Sequence, residues 1–157
     1  MKQLYIGLLL LLFLLGQSRV GFAQLKQVTF EELEQLQKIE QRKVIVFVHT
    51  DWCHYCQQMW HSTFKNKELV ALLNEKFYFV ELNAEAERNI TFNNQVFRFK
   101  PNGNNTGMHE LAITLAQINN KVAFPSIVII NNVYETVFQS NQAIRTKDFI
   151  TLLSSLK

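Results

Sequence analysis

The chain has 157 residues, 48% of them hydrophobic, 12% aromatic and 18% charged, with only two cysteines. Such a composition supports one folded domain with its own core and excludes a disordered or low-complexity protein. Sixteen basic against 13 acidic side chains give a net charge of +3. No basic cluster interleaved with aromatics accompanies it, which argues against a nucleic-acid partner.

Lys2, the apolar run Leu4 to Leu15 and Gly21-Phe22-Ala23 ahead of Gln24 form a secretory signal-peptide pattern. Cleavage is expected after Ala23, leaving residues 24–157 as a mature domain in a periplasm or secreted. The twelve-residue run is short of the ~20 residues a spanning helix needs, so an uncleaved anchor is the lesser alternative. Removing Lys2 and Arg19 leaves 14 basic against 13 acidic side chains.

Gln24 to Val28 reads as a short strand or an extended arm. Thr29-Phe30-Glu31-Glu32 has the form of a capping box. Phe30, Leu33, Leu36 and Ile39 then give one apolar stripe to a helix ending near Gln41, with Gln37 on its wet side. Val44 to Val48 is a β-branched and aromatic run that fits a strand covered on both faces. Thr50 and Asp51 break the run, and either can cap the helix that follows. That helix starts at Cys53 and ends near Ser62. Asn66-Lys67-Glu68 opens another, and Phe77 to Leu82 forms a second buried strand. Strand, helix, strand makes a parallel β-α-β unit.

Residues 84–121 are less regular. Ile90-Thr91-Phe92 and Val96-Phe97-Arg98-Phe99 flank Asn93-Asn94-Gln95 as a small hairpin. Pro101 to Gly107 is a loop by composition, and Met108 to Gln117 a helix candidate. Phe124 to Ile130 and Val133 to Phe138 form a hairpin through Asn131-Asn132, a pair suited to positive φ. A helix from Thr146 or Lys147 to Leu156 closes the chain. No internal repeat is visible.

The chemistry sits in Trp52-Cys53-His54-Tyr55-Cys56. Cys53 falls at the helix start, where free N–H groups and the helix dipole favour a thiolate. Cys56 lies one turn later on the same face. A structural disulfide normally staples distant segments, whereas a C-x-x-C loop closes almost nothing, so a redox role is the stronger reading. The lesser alternative is that the pair holds zinc or copper, with His49 and His61 completing a Cys2His2 set. Those histidines lack zinc-finger spacing, so no metal ligand is assigned. His109 has no visible partner in the sequence and reads as an ordinary polar residue.

The strand, the tryptophan, the cysteine pair, the helical continuation and Phe124-Pro125-Ser126 together resemble the thioredoxin-like disulfide oxidoreductases. The resemblance implies an α/β fold with a central mixed sheet flanked by helices, and makes residues 84–121 an insertion before the proline-preceded strand. It implies that Cys53 attacks, Cys56 resolves, and Pro125 is cis and shapes a substrate groove with Trp52 and Phe124. His54 and Tyr55 would tune the pair. Phe47 stands where the family usually has an acid, and Glu81 where a lysine is common. Glu81 is therefore either a buried proton relay for Cys56 or a solvated strand-edge residue. The resemblance also implies a monomer with no bound cofactor, exchanging electrons with protein thiols and disulfides. A reductase fed by a membrane-embedded partner is the leading direction, and a metal-binding module the alternative.

Overall fold

The computed structural model describes residues 24–104 and 106–156, and the signal-peptide reading falls outside them. The central sheet has four strands. Its middle is β1 (Lys43–His49), flanked by β2 (Phe77–Asn83) in parallel and by β9 (Ser126–Ile130) in antiparallel; β10 (Thr136–Ser140) forms one edge beyond β9. β1 pairs from Lys43↔Phe77 to His49↔Asn83 on one side, and from Val44↔Ile130 to Val48↔Ser126 on the other. This is the mixed sheet that the resemblance implies.

Strand periodicity divides the core in two. Val44, Val46 and Val48 point to one face, where they meet α1 (Phe30–Ile39) and residues of the insertion. Ile45 and Phe47 point to the other. There they join α2 (His54–His61), a 3-10 turn at Thr63–Lys65, α3 (Lys67–Lys76) and the C-terminal α5 (Thr146–Ser155). Phe47 is the hub of an aromatic group, with Trp60, Phe64 and Phe79 rings 5.0 to 6.5 Å from its own. The arm at residues 24–28 forms no regular strand, but Val28 N donates to Phe79 O at 2.9 Å and holds it along β2.

The capping box forms in full: Glu32 N donates to Thr29 Oγ1 at 3.1 Å and Thr29 N to Glu32 Oε2 at 2.8 Å. The stripe expected along α1 is corrected at its end. Ile39 is exposed, and Gln37, placed on the wet side by sequence, is buried. The amide of Gln37 is what turns it inward: it donates to Arg42 O at 2.7 Å and accepts from Arg42 N at 2.9 Å, closing the turn into β1.

The insertion holds three small hairpins and a helix. β3 (Ile90–Phe92) and β4 (Gln95–Phe97) pair as expected, with Asn93 and Asn94 at φ 51° and 59°. The loop read at residues 101–107 is corrected: β5 (Phe99–Gly103) and β6 (Thr106–His109) form a second hairpin. A Cβ on Gly107 would run into the Phe99 ring and the Lys100 carbonyl, so this close cross-strand approach needs glycine. α4 (Glu110–Ala116) follows, then β7 (Gln117–Ile118) and β8 (Lys121–Val122), joined through Asn119 and Asn120 at φ 50° and 61°. Leu111, Ala112, Leu115 and Ala116 are buried with Ile90, Phe92 and Phe97, so the insertion builds part of one core.

His109, read as an ordinary polar residue, is fully buried and caps α4. Its Nδ1 accepts from Leu111 N at 3.2 Å, and its Nε2 lies 3.1 Å from Arg88 O. The β9–β10 connection is also corrected. The positive φ falls on Tyr134, at 66°, because Asn131 Oδ1 accepts from both Val133 N and Glu135 N and widens the loop.

Candidate active site

β1 ends against β2 and β9, and the chain then turns through residues 50–52 before entering α2. Cys53 N donates to Thr50 O at 3.2 Å within this turn. Three turn residues move the cap to Cys53, two positions beyond Asp51 and three beyond Thr50, which corrects the expectation for both. Cys53 is itself the N-cap, and its Sγ accepts the Cys56 N–H at 3.2 Å. Asp51 steadies the turn instead, accepting from Gln57 Nε2 through its carbonyl at 2.7 Å and from Asn83 Nδ2 through its carboxylate at 3.1 Å.

Cys53 and Cys56 form a disulfide, S–S 2.03 Å with Cα atoms 5.2 Å apart. Both residues are buried, Cys53 at 5% and Cys56 at 3% exposure. Exposed aromatic residues flank the pair in the chain. Trp52 is 69% exposed and stands edge-on to Phe124, centroids 6.3 Å apart; its indole N–H donates to Glu85 at 3.0 and 3.1 Å. Tyr55 is 61% exposed, and its ring meets that of exposed His54 at 6.0 Å.

The Phe124-Pro125 bond is cis, as the resemblance implies, and Pro125 is buried. The pairing Val48↔Ser126 brings the chain entering β9 beside the residues that leave β1 toward Cys53. Phe124 packs against both halves of the core, including the half that holds the cysteines.

Glu81 lies between its two expectations. Its side chain is one-third exposed, at 33%, and its Oε1 is 3.0 Å from Nε2 of His49. The alternation of β1 and the register Phe47↔Glu81 put both residues on the cysteine face of the sheet. A cavity of about 300 Å3 reaches Cys56 from this side and is lined also by His49, Thr50, Asp51, His61 and Glu81. His49, a metal candidate by residue type, meets Glu81 instead, while Glu85 and Asn83, which belong to no motif, hold Trp52 and Asp51. Strand-end position and parallel register were the signals that connect them.

The Cys2His2 alternative finds no assembled ligand set. The two sulfurs are bonded to each other, His49 is engaged by Glu81, and His61 is exposed. Among the described residues no three His, Cys, Asp or Glu side chains gather as metal ligands.

The pattern of a thioredoxin-like domain matches residues 30–156. The chain belongs to the thioredoxin-like family. Its fold is similar to a solved structure described as DsbH oxidoreductase, with TM-score 0.60, 15% identity and 88% of each chain covered. It is also similar to a thioredoxin from Thermus thermophilus, with TM-score 0.59, 20% identity, and 85% of this chain and 87% of that one covered. A disulphide isomerase from Xylella fastidiosa follows at TM-score 0.53 and 11% identity, over 90% and 95% of the two chains. At these identities the likeness is one of fold. No curated protein matches the sequence. The bonded C-x-x-C pair on this fold makes the chain a thioredoxin-like thiol–disulfide oxidoreductase.

Proposed function

We propose that the protein is an exported, monomeric reductase of disulfides in other proteins. The observation that carries this reading is the Cys53–Cys56 disulfide at the start of α2, with Phe124 of the cis Phe124-Pro125 bond packed against the cysteine half of the core and with Trp52 and Tyr55 exposed next to the cysteines in the chain. A partner's cysteine loop is an extended, partly apolar ligand, and an aromatic rim with a neighbouring strand start suits it. Cys53 attacks the partner's disulfide, and Cys56 then displaces the partner from the mixed disulfide.

Two features support the reducing direction. An oxidant needs a strongly stabilised reduced form. Here the hydrogen bond to Cys53 Sγ comes from one backbone N–H, and His54, the cation candidate between the cysteines, faces solvent. The tryptophan ahead of the pair agrees with the same direction. Export rests on the pattern Lys2, Leu4 to Leu15 and Gly21-Phe22-Ala23. In a periplasm, which holds no thiol buffer, electrons would come from a membrane-embedded donor protein.

The deciding experiment is the equilibrium reduction potential of residues 24–157 in glutathione buffers. A value near or below about −250 mV supports the reductase. A value of about −120 to −180 mV overturns the direction in favour of an oxidant or isomerase. Expression of the full chain in a Gram-negative host, with the mass of the periplasmic product read out, tests export. A product beginning at Gln24 supports it, and an uncleaved cytoplasmic product overturns it.

A further inference from the structure

At the end of the sheet opposite the cysteines, a cavity of about 510 Å3 opens among β1, β2, α3 and α5. β1 and β2 both begin there, with Lys43 and Phe77 paired in register. The length of β1, ~20 Å at ~3.3 Å per residue, separates this end from the redox turn. The cavity floor is apolar. Phe77 and Leu153 are buried members of the core half that α3 and α5 cover, and Leu72 and Leu156 stand half-buried beside them. The volume falls within the ~300–1,000 Å3 usual for small-molecule sites.

The rim is cationic. Arg42, Lys43 and Lys76 line the cavity, and among the described residues no Asp or Glu does. Two of these cations are matched from outside it. Arg42 meets Glu40 at 2.6 Å and donates to the Asn74 carbonyl at 3.1 Å, and Lys76 meets Glu75 at 2.6 Å. Lys43 is different. The alternation of β1 turns its side chain to the face of Ile45 and Phe47, toward the apolar floor. It is half-buried, and among the described residues no carboxylate or hydrogen-bond acceptor meets its ammonium. A cation drawn partly out of water without a counter-charge is unfavourable, and an anion at the cavity mouth offsets that cost.

We propose that this cavity binds a free aliphatic carboxylate, with its charged end at Lys43 and its chain on Phe77, Leu153, Leu72 and Leu156. An apolar chain ended by one negative charge matches both halves of the site. Burial of the chain supplies affinity, and the pair with Lys43 fixes which end faces out. A lipid surface fits less well. Attraction to an anionic leaflet takes a cluster of about four or more basic residues, whereas here Lys43 is the rim cation without a matching acid.

Calorimetric titration with monomeric dodecanoate tests this on residues 24–157, which hold both core halves and the whole cavity. One-to-one binding with a Kd below about 0.1 mM is expected, with a Tm that rises as ligand is added. Dodecyltrimethylammonium, with the same chain and the opposite charge, should bind at least about tenfold more weakly. Butyrate, with the charge and little chain, should not bind. Lys43→Gln should raise the dodecanoate Kd about fivefold or more, a charge-assisted bond discounted for its partly exposed position. Leu156→Glu sets a carboxylate on the rim and should weaken dodecanoate similarly, which keeps the test available if Lys43→Gln does not fold. Methyl resonances of Leu72, Leu153 and Leu156 should shift during the titration, and those of Val48, at the far end of β1, should not. Equal affinity for the two amphiphiles, a Kd unmoved by the variants, or no binding up to about 1 mM overturns the proposal. Binding to anionic vesicles without binding to monomeric dodecanoate also overturns it and assigns the rim to a membrane surface.

Discussion

Glu85 receives the indole N–H of Trp52 through both carboxylate oxygens, at 3.0 and 3.1 Å. The insertion therefore reaches the active-site rim in its second residue, two positions after β2 ends at Asn83. Glu85 N in turn donates to Asn83 Oδ1 at 2.9 Å, so the carboxylate is carried on a fixed turn.

Glu85→Ala should release Trp52 from its edge-on position beside Phe124. Both partners are solvent-exposed, so the bond contributes less than ~1 kcal/mol. Insulin reduction kinetics should show a KM raised about two- to fivefold with kcat nearly unchanged. A changed kcat with an unchanged KM would contradict a positioning role.

Cys56→Ser should stop the reaction at the mixed disulfide. Purification from an oxidising host, followed by a non-reducing gel, should show covalent adducts of Cys53 that dithiothreitol dissolves. Cys53→Ser should give none and should leave insulin reduction at background. Equal adduct yields from the two variants would reverse the assignment of attacker and resolver.

Burial lowers the pKa of His109, against a smaller opposing effect of its bond to the Arg88 carbonyl. The unfolded chain thus binds this proton at a higher pH than the native one does, near the ordinary value of about 6.5. Stability from the neutral ring is complete above that value and is lost as pH falls below it toward the lowered native value. Urea midpoints should drop between about pH 7.5 and 5 more steeply for wild type than for His109→Gln. The variant should be the less stable at the upper pH, having lost the cap to Leu111 N. Parallel pH curves would remove His109 from the explanation.

Thr29→Ala removes the side-chain half of the capping box that starts α1. A loss of about 1 kcal/mol in unfolding free energy is expected from urea titration. Disulfide exchange should be unaffected, because α1 packs on the sheet face away from the cysteines.

The central strands and the redox turn were readable because their signals are local. Val44 to Val48 and Ile127 to Ile130 are buried without interruption, and such runs have few alternatives to an interior strand. β5 was missed because all but one of its residues are exposed and carry no alternation, so Pro101, Asn102 and Gly103 spoke only of a turn. Gln37 was misplaced because its burial depends on the backbone of Arg42, beyond the helix being read. The His49–Glu81 contact joins residues 32 positions apart whose meeting depends on strand register. Periodicity within one strand carries no register, so chemistry assembled across strands stayed hidden while chemistry within one turn did not.

β1 is at once the partition between the two cores and the stem of the reactive turn. Its amides should therefore exchange hydrogen only when the whole domain opens, whereas the two-residue ladders of β7 and β8 should exchange through local fluctuation. The cysteine pair then sits at the end of the slowest-breathing strand. Partners must be drawn to a turn that keeps its shape, and adaptability in the encounter falls to the partner's loop.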